Sequence, residues 1–206
     1  MPSAYQNDGI EHIYQLLFCD NLKLFSESHT APEEYPWDVL FATHPENDQL
    51  AEILHNPELE TRPKILAARM LSDLGVVEPT RKLMGVVIEV GMAEGLDVLA
   101  AYEDGSARYI NYTGKLIVWD TRTAASDQLI QQLFAAGTIV LSNIGPGDGP
   151  RRPSPAAGTV RLNFLVSDGL YFGEGPYEVL QQDQMGGPVI NAAVKLMGFL
   201  TEQTDQ

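Results

Sequence analysis

Cysteine is nearly missing from this chain. Cys19 is the only one in 206 residues, which rules out an intrachain disulfide. It follows Phe18 in an apolar run, where a free cysteine behaves as a small buried hydrophobe. Without an activating neighbour in the sequence it is not read as a redox or nucleophilic group. Basic residues are also scarce, 13 against 28 acidic ones, for a formal net charge of −15. Such a field repels phosphate backbones, and no Lys/Arg stripe offsets it locally, so nucleic acid is not an expected partner. No uninterrupted apolar run reaches the roughly 18 residues that a membrane span requires. The opening Met1-Pro2-Ser3-Ala4-Tyr5 has neither a charged nor an apolar signal region, so the expected location is the cytoplasm, away from membranes.

Chemical signatures are missing as well. The four histidines, His12, His29, His44 and His55, form no His-Glu-x-x-His and have no cysteine at zinc-ligand spacing, so no metal site is expected. Walker-type Gly-Lys-Ser/Thr, Gly-x-Ser-x-Gly and Ser-x-x-Lys do not occur, and no cofactor is implied. Carboxylates are plentiful, including Glu89, Glu94, Asp97 and Glu103, but an acid–base pair is defined by geometry rather than abundance. These absences point away from catalysis.

What is present is ordinary globular composition, with 44% hydrophobic and 20% charged residues, enough to build a core without metal or disulfide support. Asp8 and Glu11 mark a helix start, and Ile10, Ile13, Tyr14, Leu17 and Phe18 recur at helical spacing, predicting a helix over 9–19. Residues 29–36 read as a loop. A helix is predicted around 46–55, and another opens at Thr61-Arg62-Pro63 and stops at Gly75. From Met84 the period changes to short β-branched runs. Glu103-Asp104-Gly105-Ser106 and Thr113-Gly114 punctuate a meander of four antiparallel strands over 84–120, and Ser167-Asp168-Gly169 repeats the hairpin chemistry. Thr123–Ala136 reads as a helix ended by Gly137, with Thr138–Leu141 a further strand. A last amphipathic helix follows Gly186-Gly187-Pro188, before a polar, frayed tail from Thr201 to Gln206.

The fold class is therefore α+β: an N-terminal helical region, residues 1–80, followed by an antiparallel hairpin-rich sheet with flanking helices, residues 81–206. Period and charge both change near 76–83. Residues 1–80 carry four basic and fourteen acidic residues, and the remainder nine and fourteen. The helices are thus the more acidic surface.

Two candidate sites follow. Gly145, Gly147, Gly149, Arg151 and Arg152 lie in a Gly/Pro loop over 142–158, whose amides and guanidinium groups suit a phosphate or carboxylate. No helix opens directly after the loop, as the phosphate-binding glycine motifs need, so the simpler expectation is a mobile surface loop. Arg108, Tyr109, Tyr112 and Trp119 place aromatic and cationic groups on the meander, for cross-strand packing or for a protein contact. The leading functional expectation is a protein-interaction or regulatory module, with a basic protein partner or self-association. The alternative is an anionic small-molecule site between the sheet and the 142–158 loop.

Overall fold

The computed structural model describes residues 3–76 and 80–204. It confirms the α+β class, with helices around one antiparallel sheet. Five helices come first: α1 Asp8–Leu16, α2 Leu22–Ser28, α3 Trp37–Leu40, α4 Asn47–His55 and α5 Thr61–Asp73. The meander is β1 Leu83–Met92, β2 Gly95–Tyr102, β3 Ala107–Ile110 and β4 Leu116–Trp119. Then come α6 Ala124–Leu141, β5 Thr159–Val166, β6 Gly169–Pro176, α7 Tyr177–Gln182 and α8 Gly186–Thr204. Of the segment at 76–83 where the sequence changes character, residues 77–79 lie outside the described residues.

Local chemistry explains the boundaries. Asn7, not Asp8, caps α1 by accepting from the Gly9 and Ile10 amides. Glu11 does reach back, but to the Ala4 and Tyr5 amides at 2.8 and 3.0 Å. At the end of α5, Gly75 takes a φ of 77°, and the Gly75 and Val76 amides donate to Ser72 and Leu71. This pairing closes the helix with two of its last carbonyls satisfied. Two of the meander's three turns share one geometry. The Gly105 amide donates to Tyr102, and the Gly114 amide to Asn111, each glycine at positive φ while the strand closes one residue later. These are type I turns with a glycine bulge, so in the Asp104-Gly105 pair only the glycine leaves the ordinary backbone region.

Two expectations are corrected. Thr138–Leu141 is not a strand but the last turn of α6, because Gly137 does not end that helix. A Cβ on Gly137 would sit 3.1 Å from both Leu83 Cδ2 and Phe164 Cε1, so this glycine admits the sheet against the helix. Tertiary packing here overrides the local stop signal. The tail is not frayed from Thr201 either, since α8 continues to Thr204.

The strands order as β4-β3-β2-β1-β5-β6, all neighbours antiparallel. Alternation sends Val87, Val98, Ala100, Tyr102, Ile110 and Leu165 to the face that α1–α5 cover. Val86, Ile88, Leu99, Leu162 and Phe164 go to the opposite face, under α6 and α8. The expected inward face of α8, Val189, Ala193, Leu196 and Leu200, is buried there. No helix among the described residues is long and apolar enough to cross a membrane.

Cys19 lies in the first of these cores, fully buried, and burial pushes its thiol up to about 12. A thiol reacts as thiolate, so the native protein should resist iodoacetamide at pH 8 and be alkylated once denatured. Mass spectrometry after timed labelling reads the difference; equal rates would place Cys19 in solvent.

Candidate functional site

The two faces of the sheet carry different chemistry. On the face toward α1, the middle of β1 and β5 presents Glu89, Arg161 and Asn163, all within apolar runs and all buried. Register sets Glu89 opposite Arg161. Glu89 Oε2 accepts from Arg161 Nη1 at 3.3 Å and from Asn163 Nδ2 at 2.9 Å, while the Tyr14 hydroxyl donates to Oε1 at 2.6 Å. Arg161 Nε also donates to Glu174 at 2.8 Å. Burial, then the charge of Glu89, drive the Tyr14 phenol well above its ordinary range. Tyr14 is therefore a neutral donor, and within the cluster Asn163 Oδ1 is buried without a hydrogen-bond partner.

The 142–158 loop lies over this cluster and is docked against it rather than free. Gly147 donates to the Leu170 carbonyl at 2.8 Å, and a Cβ there would meet Phe172 Cε1 at 2.7 Å. Arg151 donates from Nε to Asp20 at 2.7 Å and from Nη2 to Gln15, and its guanidinium lies 3.9 Å from the Phe18 ring centroid. Arg152 stacks over Phe172 at 4.7 Å and stays exposed, 3.9 Å from Glu174. Gly145 and Gly149 have open space where a side chain would go. The gap between this loop and the sheet is about 20 Å³, the room of one water. The structure thus brings Gly147, Gly149, Arg151 and Arg152 to the gap beside the polar cluster and leaves Gly145 outside it.

The meander residues separate. Arg108 is buried, with Nη1 on the Ala107 and Trp119 carbonyls and Nη2 2.8 Å from Asp120. Trp119 packs edge-on against Phe199, and Tyr112 is exposed. Tyr109 faces away from Arg108, on the same side of the sheet as Trp119, into a cavity of the α8 face.

That cavity is a cleft of about 700 Å³ between the ends of β1 and β2 and the corner of α7 and α8. Its walls are apolar: Ile88, Val90 and Leu99 from the sheet, and Ile190, Ala193 and Met197 from α8. The corner is held open and fixed by local chemistry. The Tyr177 amide donates to the Gly158 carbonyl, and Asp183 Oδ1 accepts from the Met185 and Gly186 amides, turning α7 into α8. Gly187 permits the close crossing, since a Cβ would lie 2.6 Å from the Gln181 carbonyl oxygen.

Few charged or hydrogen-bonding side chains enter this cleft: Asp97, Tyr109, Tyr177 and Glu178. Asp97 is half-buried on β2, and its Oδ2 accepts from the Tyr109 hydroxyl at 3.1 Å and its Oδ1 from the Tyr112 amide at 2.6 Å. Burial, and then the Asp97 charge, raise the Tyr109 phenol above its usual range, so it remains a donor at any physiological pH. Asp97 was one of several carboxylates in the sequence with nothing to single it out. The β1–β2 register provides the missing signal: Met92 pairs with Gly95, so Asp97 falls opposite Val90, on the face away from Glu89. Among the described residues, no three His, Cys, Asp or Glu side chains gather as a metal site.

No protein-family model matches the chain, and comparison with curated proteins finds no match.

Proposed function

We propose that the protein is a binding protein for a small, largely apolar molecule, held between the sheet and the α7–α8 corner. One observation carries the reading: a preformed cleft of about 700 Å³, apolar-walled, with a few convergent polar groups around Asp97. Ligand sites typically measure about 300–1,000 Å³ and have this composition. We place it in the cytoplasm, where a lone free thiol is ordinary.

Nile red, a neutral apolar dye, provides the test. It should bind saturably at one site per chain with a blue-shifted emission, and Val194→Trp should weaken it at least about tenfold. Val194 lines the mouth and is 45% exposed, so the larger ring fills the cleft without disturbing the core. Unsaturable dye uptake, or equal affinity in the variant with an unchanged circular dichroism spectrum, would defeat the proposal.

A second reading makes the same cleft a groove for an apolar segment of a basic protein partner. Its support is the rim, where Met92 and Val179 are 41% and 62% exposed. Val179→Asp separates the two: it should abolish coprecipitation of such a partner while leaving dye affinity within about threefold.

A further inference from the structure

We infer that the ligand of this cleft is an amphiphilic cation, an amine or quaternary ammonium carried on an apolar body. The inference rests on the reading of the cleft as a ligand site and names the chemistry that the site selects.

The lining holds two carboxylates, Asp97 and Glu178, and no lysine, arginine or histidine. Both hydrogen bonds that Asp97 accepts come from neutral donors, a phenol and a backbone amide. Every ion pair of the described residues lies elsewhere. The contrast with the opposite face is direct: Glu89 has its arginine, whereas Asp97, half-buried beside apolar walls, has no counter-charge. A ligand that filled the cleft would strip more water from Asp97, which is unfavourable unless the ligand brings a positive group.

Two further features point the same way. The rings of Tyr109 and Tyr177 both line the cleft, and aromatic faces beside carboxylates attract alkylammonium groups. The whole chain, at −15, draws cations toward any acidic opening and repels anions. The apolar walls from Ile88 to Met197 take the body of the molecule.

The test compares three ligands with one ten-carbon chain, decyltrimethylammonium, decanol and decyl sulfate. Each is titrated calorimetrically into the full chain below the concentration at which it aggregates. The ammonium should bind at least about tenfold more tightly than the alcohol, the sulfate more weakly than either, and added salt should weaken only the ammonium's lead. Asp97→Asn keeps an acceptor for the Tyr112 amide and should bring the ammonium down to the alcohol's affinity, leaving the alcohol within about threefold. Should that variant fold poorly, exposed Glu178→Gln supplies the same comparison with a smaller drop, and the salt dependence of the wild type stands on its own. Alcohol or sulfate binding as tightly as the ammonium overturns the cationic assignment and leaves the cleft as a ligand site. Failure of all three ligands and of Nile red overturns the ligand site itself.

Discussion

Arg161→Met is expected to lower folding stability by about 3–5 kcal/mol in a urea titration at neutral pH, the range for breaking a buried ion pair from one side. Glu89 is fully buried and would keep only the Tyr14 hydroxyl and the Asn163 amide, two neutral donors, in place of a guanidinium. Glu174, the other carboxylate on Arg161, is partly exposed and can return to water. The cost therefore falls on Glu89. Adding Glu89→Gln to the same variant should recover most of the loss, because an amide between Tyr14 and Asn163 needs no counter-ion. The control is Lys23→Ala, which removes an exposed pair with Glu27 and should change stability by about 0.5 kcal/mol or less. If Arg161→Met moved the midpoint no further than that control, Glu89 would not be held as a buried ion.

The second large effect is expected from one methyl group. In Gly91→Ala, the new Cβ would stand 2.1 Å from the Ala156 carbonyl oxygen and 2.6 Å from its carbon. Both are backbone atoms, so no rotamer change relieves the overlap. The segment before β5 must lift from β1, losing the hydrogen bond from the Gly158 amide to Gly91 at 2.8 Å. A cost of about 2–3 kcal/mol fits overpacking of this kind. Because Gly91 and Gly158 also line the cleft, Nile red affinity should fall with it. Gly145→Ala, where nothing lies within 4 Å, should stay within about 0.5 kcal/mol of wild type. Equal stability of the two variants would refute the close approach.

These sites show why some features were legible in the sequence and others were not. Helix α5 and the meander announced themselves because their signals are local: a proline in the first turn, a glycine at the stop, glycines at the bulges. Gly137 carries the same local signal with the opposite meaning, since its role is to admit Phe164 from a strand not yet reached in the chain. The 142–158 loop read as mobile for the same reason. What docks it, Asp20, Gln15, Phe18 and Phe172, lies in distant segments. Glu89, Arg161 and Asn163 did leave a trace, polar residues in the middle of apolar strand runs, but their pairing depends on register. The cleft left least of all, because α7 is six residues long and its walls come from five strands and two helices.

The place of β1 in the sheet has a consequence for how the chain is made. Its partner on one side, β2, follows within a few residues, whereas Arg161 of β5 lies 72 residues beyond Glu89. As the protein emerges from the ribosome, β1 to β4 can form while the other edge of β1 has no neighbour. That open edge runs through Val86, Val87 and Ile88, a stretch ready to pair with any passing strand. A carboxylate directly after it discourages such pairing. Glu89 thus leaves a charge beside that open edge until Arg161 arrives to neutralise it.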